Sequence, residues 1–313
     1  MSSLSSALTL LRRLCVLSVV ASGAHAAEAT HALAPVSVPR SASFEIRSHH
    51  TGQTYRILIA LPWGPAPAAG YPALWALDGA MSFPLLQAWR PLAPTDRMPP
   101  SARPRGAGPV DGLIVAIAHA QPEGFDVDAR ARDYTPPPDA ITGDLVSRGH
   151  GGAPAFLRFL TEELRPRVAR EFPLDAQRQT LFGFSYGGLF ALHVLRTAPL
   201  SFQRYWIASP SVWFSERTLL RDLAQRLEAA GLAEAAPRIV LTVGQNEQYP
   251  PQFENDAVRE KLQTRAMVDN ATTAARLLEA GGAQVRLRVQ PGSDHHDMLM
   301  DGARHVAGFA FEP

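Results

Sequence analysis

Gln179-Thr180-Leu181-Phe182-Gly183-Phe184-Ser185-Tyr186-Gly187-Gly188-Leu189-Phe190-Ala191-Leu192-His193-Val194-Leu195 decides the fold. An apolar run leads into Gly-x-Ser-x-Gly, and a second apolar run with helix-forming residues leads out. Strand, sharp turn, helix is the setting of a nucleophile elbow. Glycines on both sides let the backbone turn tightly enough to push a serine hydroxyl out of a sheet, and the helix N-terminus behind it attracts developing negative charge. Ser185 is the candidate nucleophile, and the alternative reading is an ordinary tight turn.

Upstream, Ser43–Ser48 and Thr54–Leu61 alternate as an antiparallel hairpin joined by His49-His50-Thr51-Gly52-Gln53. Ala73–Leu77 and Leu113–Ala118 are continuous apolar runs, the pattern of strands covered on both faces. Ala153–Arg170 is apolar at Phe156, Leu157, Leu160, Leu164 and Val168, a helical spacing. Downstream, strands are expected at Tyr205–Ala208, Ile239–Val243 and Val285–Val289, with helices at Arg217–Ala230 and Arg265–Ala280 between them. The alternation predicts an α/β fold, a mostly parallel sheet with an antiparallel N-terminal hairpin and helices on both faces.

In such a sheet the reacting groups gather at the carboxyl ends of the parallel strands. After Val243 comes Gly244-Gln245-Asn246-Glu247, and after Val289 comes Gln290-Pro291-Gly292-Ser293-Asp294-His295-His296-Asp297. An imidazole with a pKa near 6.5 can take the serine proton and return it to a leaving alcohol, and a carboxylate can orient and stabilise it. His295 is the candidate base and Glu247 the candidate acid. His296 is the alternative base, and Asp294 or Asp297 the alternative acid. A zinc site at His295, His296 and Asp297 is disfavoured, because adjacent ligands point apart and the usual spacings are missing. The order serine, acid, histidine is that of α/β-hydrolases. Oxyanion donors are expected from the amide of Tyr186 and from the Leu77-Asp78-Gly79-Ala80-Met81 loop, with Gly79 and Ala80 the candidates there.

Residues 1–26 read as a secretory signal, with Arg12-Arg13, the apolar stretch Leu14–Val20 and the cleavage pattern Ala24-His25-Ala26. The apolar stretch is shorter than the roughly 20 residues a spanning helix needs. Cleavage leaves a single domain of residues 27–313, secreted or periplasmic, with no membrane span. It also removes the only cysteine, Cys15, which excludes disulfides and thiolate chemistry from the mature chain. Two arginines and no acids leave with the signal, taking the formal charge from +1 to −1. No electrostatic case for nucleic acid remains. With 46% apolar residues the chain can bury one large core. The Pro-rich stretch Pro91–Pro109 reads as a long loop and a lid candidate, and Pro136-Pro137-Pro138 as a second loop.

Several segments together carry a family resemblance. They are Gly70-Tyr71-Pro72-Ala73-Leu74-Trp75-Ala76-Leu77-Asp78-Gly79, Arg132-Asp133-Tyr134-Thr135-Pro136, Gly151-Gly152-Ala153-Pro154-Ala155-Phe156-Leu157, the elbow with Gly188-Leu189-Phe190, Ser209-Pro210-Ser211-Val212-Trp213, and Gly292-Ser293-Asp294-His295. The chain resembles the esterase D-like branch of the α/β-hydrolases, and most of all bacterial esterases of enterobactin- and salmochelin-type trilactone siderophores. The resemblance implies Ser185 as nucleophile, His295 as base, Glu247 as acid and the Leu-Asp-Gly loop as part of the oxyanion hole. It implies an acyl-serine mechanism with no metal or organic cofactor, and iron only as part of the substrate. A catecholate siderophore, iron-loaded or iron-free, is anionic and aromatic, so Arg130, Arg132, Tyr134 and Trp213 are expected to bind it. Competing expectations are a carboxylesterase for feruloyl-type or xenobiotic esters and, from a different class, a non-catalytic siderophore-binding protein on the same fold.

Overall fold

The computed structural model describes residues 37–90, 112–120, 124–140 and 149–312, apart from 222, 231 and 253. The expected signal segment and the Pro91–Pro109 lid candidate lie outside the described residues. From Val38 onward the chain forms one compact unit.

Eight strands form one sheet: β1 (Ser41–Arg47), β2 (Thr54–Ala60), β3 (Tyr71–Ala76), β4 (Leu113–Ala118), β5 (Leu174–Phe184), β6 (Arg204–Ala208), β7 (Arg238–Gly244) and β8 (Gln284–Gln290). The order is β1-β2-β4-β3-β5-β6-β7-β8. The pairs β1–β2 and β2–β4 are antiparallel and all others parallel, as expected from the hairpin and the continuous apolar runs. This is the α/β-hydrolase fold.

The apolar runs are buried on both faces because successive side chains serve two cores. On β4, Leu113, Val115 and Ile117 join one cluster, with Phe156, Leu189, Phe190 and Leu278 from the covering helices. Ile114 and Ala116 join the other, with Phe83, Leu86, Met298, Val306 and Phe311. The first cluster seats the helix after the elbow, Tyr186–Thr197, and the second seats the C-terminal helix His295–Phe311. Both helices start in the active-site loops, so core packing fixes where Ser185 and His295 stand.

Four expected elements differ in detail. β5 begins at Leu174, five residues before the apolar run, because Leu174 pairs with Tyr71 and Gln179 with Ala73 across an irregularity whose intervening residues look too polar to be a strand. The helix expected over Ala153–Arg170 carries a π-helical stretch at Phe159–Leu164, where the Arg165 N–H reaches Leu160 O. Pro166 follows, and its missing N–H and its ring disturb the regular ladder there. The helices expected at Arg217–Ala230 and Arg265–Ala280 are broken by left-handed backbone, at Ser215–Arg217 and at Ala266. A separate helix, Asp256–Arg265, precedes the second break and has no buried residue.

Candidate active site

Ser185 stands at the carboxyl end of β5 with φ 59° and ψ −116°, a conformation costly for a residue with a Cβ. The end of β6 and the turn after it hold it there. The Ser185 N–H donates to Ala208 O at 2.9 Å, and Ser185 O accepts from Leu189 N–H at 3.0 Å and Ser211 N–H at 3.1 Å. Gly183 makes the turn possible, since a Cβ at that position would lie 2.1 Å from Gly187 O.

The two other loops converge on this hydroxyl. β7 and β8 run side by side with Val243 opposite Val289. A Cβ on Gly244 would sit 2.4 Å from Ser293 O, so the close approach of the two loops requires glycine. Asn246 then clips them together, its backbone N–H donating to Ser293 O at 3.0 Å and its Nδ2 to Gly292 O at 2.8 Å. His295 Nε2 lies 3.0 Å from Ser185 Oγ, and His295 Nδ1 lies 2.5 Å from Glu247 Oε2. Glu247 is 3% exposed, and its Oε1 accepts from Ser209 Oγ at 2.5 Å and Gly244 N–H at 2.7 Å. A buried carboxylate so held orients the imidazole through Nδ1 and leaves Nε2 facing the serine hydroxyl.

The alternative partners have other employment. Asp294 caps the C-terminal helix by accepting from the N–H groups of His296 and Asp297, and the Asp297 carboxylate accepts from Asp294 N–H at 2.9 Å. His296 is exposed and makes an edge contact with the His295 ring at 6.3 Å between centroids.

A cavity of about 410 Å³ opens over the triad. Its lining includes Tyr186, Ser211, Trp213, Leu262, Arg265 and Met267. Ser211 is buried with its Oγ 3.2 Å from Ser185 Oγ, and the Arg265 guanidinium lies 4.6 Å from the Trp213 ring centroid. Of the residues expected to contact substrate, Trp213 and Arg130 line the cavity, whereas Arg132 and Tyr134 do not. Arg132 Nε and Nη2 donate to Asp133, whose buried carboxylate also accepts from Tyr55 Oη and contacts His119 Nε2. Burial would raise the Asp133 pKa, but the His119 and Arg132 hydrogen bonds outweigh it and hold the carboxyl below its usual value. Tyr134 is fully buried, with its ring against Phe156 and Phe190. Residues spaced two apart on the helix Val127–Tyr134 point to different sides, so Arg130, Arg132 and Tyr134 cannot all face one ligand.

Among the oxyanion candidates, Tyr186 opens the helix behind the serine and lines the cavity. Gly79 and Ala80 open the helix Gly79–Trp89, and neither is a cavity-lining residue. That helix start adjoins the elbow, because a Cβ on Gly187 would lie 3.6 Å from Asp78 Oδ2. Sequence reasoning missed Ser209, Ser211, Leu262 and Arg265. The Ser209-Pro210-Ser211 segment was itself a signal, since a tight turn directly after β6 must abut the elbow on β5.

Comparison with known proteins gives a consistent picture. The esterase family described as "Putative esterase" matches residues 48–296. Ferri-bacillibactin esterase BesA of Bacillus subtilis is 32% identical over 79% of this chain and 84% of its own length. The siderophore enterobactin esterase of Emericella nidulans is 33% identical over 88% of this chain and 95% of its own. Among solved structures, the siderophore hydrolase EstA of Aspergillus nidulans is 29% identical with a TM-score of 0.70, covering 89% of this chain and 98% of that one. The match over most of the chain, on a sheet of the same fold, makes this protein a member of the esterase family of α/β-hydrolases.

Proposed function

We propose that the protein is a secreted serine esterase that opens the ester bonds of a catecholate trilactone siderophore through an acyl-serine intermediate. The observation that carries the reading is the continuous contact from Ser185 Oγ through His295 to the buried Glu247, at the floor of the cavity. Ser185 Oγ attacks the ester carbonyl as its proton passes to His295 Nε2, and Glu247 stabilises the resulting imidazolium. Negative charge on the carbonyl oxygen develops beside the amide of Tyr186, and the second donor is assigned to the helix start at Gly79–Ala80, which adjoins the elbow without lining the cavity. Collapse breaks the C–O bond and His295 returns its proton to the leaving alcohol. Water, deprotonated by the same nitrogen, then hydrolyses the acyl-serine and restores the hydroxyl.

The substrate class rests on the relatives, which are named as ferri-bacillibactin and enterobactin esterases. Residues 1–26 support export to the periplasm or beyond. Purified mature protein incubated with enterobactin should give linear trimer, dimer and monomer by mass spectrometry, and the Ser185→Ala variant should not. Products from Ser185→Ala at the wild-type rate would contradict the mechanism.

One observation favours a second reading within the same chemistry. Arg132 and Tyr134 stand away from the cavity, and the Arg130 charge is met by Asp78. A neutral aromatic ester of the feruloyl type would suit a wall of Trp213, Leu262 and Met267. Higher kcat/KM on feruloyl esters than on the trilactone would select it.

A further inference from the structure

The turn Ser209-Pro210-Ser211, directly after β6, reaches the triad at both ends. Ser209 is fully buried, and its Oγ donates to Glu247 Oε1 at 2.5 Å. The same oxygen accepts from Gly244 N–H at 2.7 Å, and Oε2 faces His295 Nδ1 at 2.5 Å. Ser211 is 2% exposed, and its Oγ lies 3.2 Å from Ser185 Oγ, which in turn lies 3.0 Å from His295 Nε2. With Nδ1–H on Glu247, Nε2 is the acceptor, so Ser185 Oγ donates its one proton there and has only lone pairs left for Ser211. The Ser211 hydroxyl is therefore the donor of that pair. The turn has little freedom to place these hydroxyls elsewhere. Ser209 has left-handed backbone, φ 44°, which a serine holds only when its surroundings enforce it. They do so from two sides: Ser209 N–H donates to Thr242 O on β7 at 2.7 Å, and Ser211 N–H donates to Ser185 O at 3.1 Å. Gly188 lets the helix behind the nucleophile close on the turn, since a Cβ there would lie 3.0 Å from Pro210 Cα and from Ala208 O.

We propose that this turn is a fourth catalytic loop. Ser209 is a positioning residue that fixes the rotamer of Glu247 and, through it, the His295 ring. Ser211 is a catalytic residue whose hydroxyl keeps Ser185 Oγ aimed at His295 Nε2 and stays in contact with that oxygen as its proton leaves. The proposal rests on the serine-esterase reading. It extends the triad to a chain of Ser211, Ser185, His295, Glu247 and Ser209, with both ends fixed by one turn. A hydrogen bond to a carboxylate is worth more than one between hydroxyls, so the larger loss is expected at Ser209.

The test compares wild type with Ser209→Gly, Ser209→Ala and Ser211→Ala on a neutral aryl acetate, and repeats Ser209→Gly in a Glu247→Gln background. For Ser209→Gly, kcat should fall roughly 10- to 100-fold with KM changed less than about threefold. Glycine accepts the left-handed backbone at no steric cost, whereas Ser209→Ala keeps the Cβ. An equal kcat loss in the two therefore ties the effect to the hydroxyl and not to backbone freedom. Ser211→Ala should lower kcat roughly two- to tenfold. With Glu247→Gln already present, Ser209→Gly should add less than about a twofold loss, because both act through the same imidazole. The low-field proton resonance of the hydrogen bond between His295 Nδ1 and Glu247 should shift or vanish in Ser209→Gly. Thermal unfolding of each variant separates misfolding from misplacement, and where one Ser209 variant does not fold the other decides. Wild-type kcat in a folded Ser209 variant or in Ser211→Ala would overturn the proposal. So would losses from Ser209→Gly and Glu247→Gln that multiply in full, or an unchanged proton resonance in Ser209→Gly. A wild type that does not hydrolyse the aryl acetate would instead sink the esterase reading, and this proposal with it.

Discussion

The floor and the wall of the cavity are built by opposite means. The floor is the three loops that carry Ser185, Glu247 and His295, each following a strand of the sheet, buried at the ends of β5 and β7 and exposed at the end of β8, and tied to its neighbours by backbone hydrogen bonds. The wall includes Trp213 and the helix Asp256–Arg265, which carries Leu262 and Arg265 and buries none of its residues, and it is backed by the left-handed turn Ser215–Arg217. What ties this wall together is polar: Arg217 donates through Nε to Asn270 Oδ1 and through Nη2 to Thr264 O, and Arg265 lies over Trp213. A floor held by the core keeps reacting atoms in place to a fraction of an ångström. A wall held at its surface can change its side chains without disturbing the core, which suits specificity and not chemistry.

Changes on the floor should therefore cost catalysis or folding, and changes on the wall should move KM. The largest effect is expected for Ser185→Ala, a loss of roughly 10⁴-fold or more in kcat measured with any accepted ester. Glu247→Gln should lower kcat by roughly 10²- to 10⁴-fold by misorienting His295. Gly183→Ala should destabilise by about 3 kcal/mol or more in denaturant unfolding, because its Cβ meets the Gly187 carbonyl. By contrast, Trp213→Ala should raise KM roughly three- to tenfold for aromatic esters while kcat changes less. Equal kcat losses at Trp213 and Ser185 would erase the distinction between wall and floor.

A smaller, pH-dependent effect belongs to the helix behind the nucleophile. Burial pushes His193 down to about 4 from its usual 6.5. Its folded pKa lies below its unfolded one, so the unfolded chain binds the proton first. Stability is complete above pH 6.5 and falls as pH drops toward 4, by about 3 kcal/mol for a shift of this size. In urea unfolding at pH 7 and pH 4.5, His193→Phe should lose less stability between the two than wild type does. An identical loss in both would remove His193 as a source of acid sensitivity.

The floor was legible in the sequence and the wall was not, for physical reasons. Strand ends are announced by apolar runs, and the residues just after Phe184, Val243 and Val289 follow from them with little freedom. The choice of Glu247 over Asp294 and Asp297 depended on capping, which becomes visible only when the helix start at His295 is fixed. Asp256–Arg265 escaped because its sequence has no apolar stripe, the signal by which helices are read. The placement of Arg132 and Tyr134 was hidden for a related reason: proximity in sequence does not give a shared face, and Tyr134 is buried in the core while Arg132 turns to Asp133. Arg130 reaches the cavity edge, but its partner Asp78 is 52 residues away in sequence and no local pattern connects them.

The most direct test of the central claim is to label the mature protein with a fluorophosphonate and map the adduct by peptide mass spectrometry. The account predicts one stoichiometric adduct on the peptide containing Ser185, lost in Ser185→Ala and slowed in a His295→Ala variant. No adduct, or an adduct on another serine with ester turnover intact in Ser185→Ala, would contradict it.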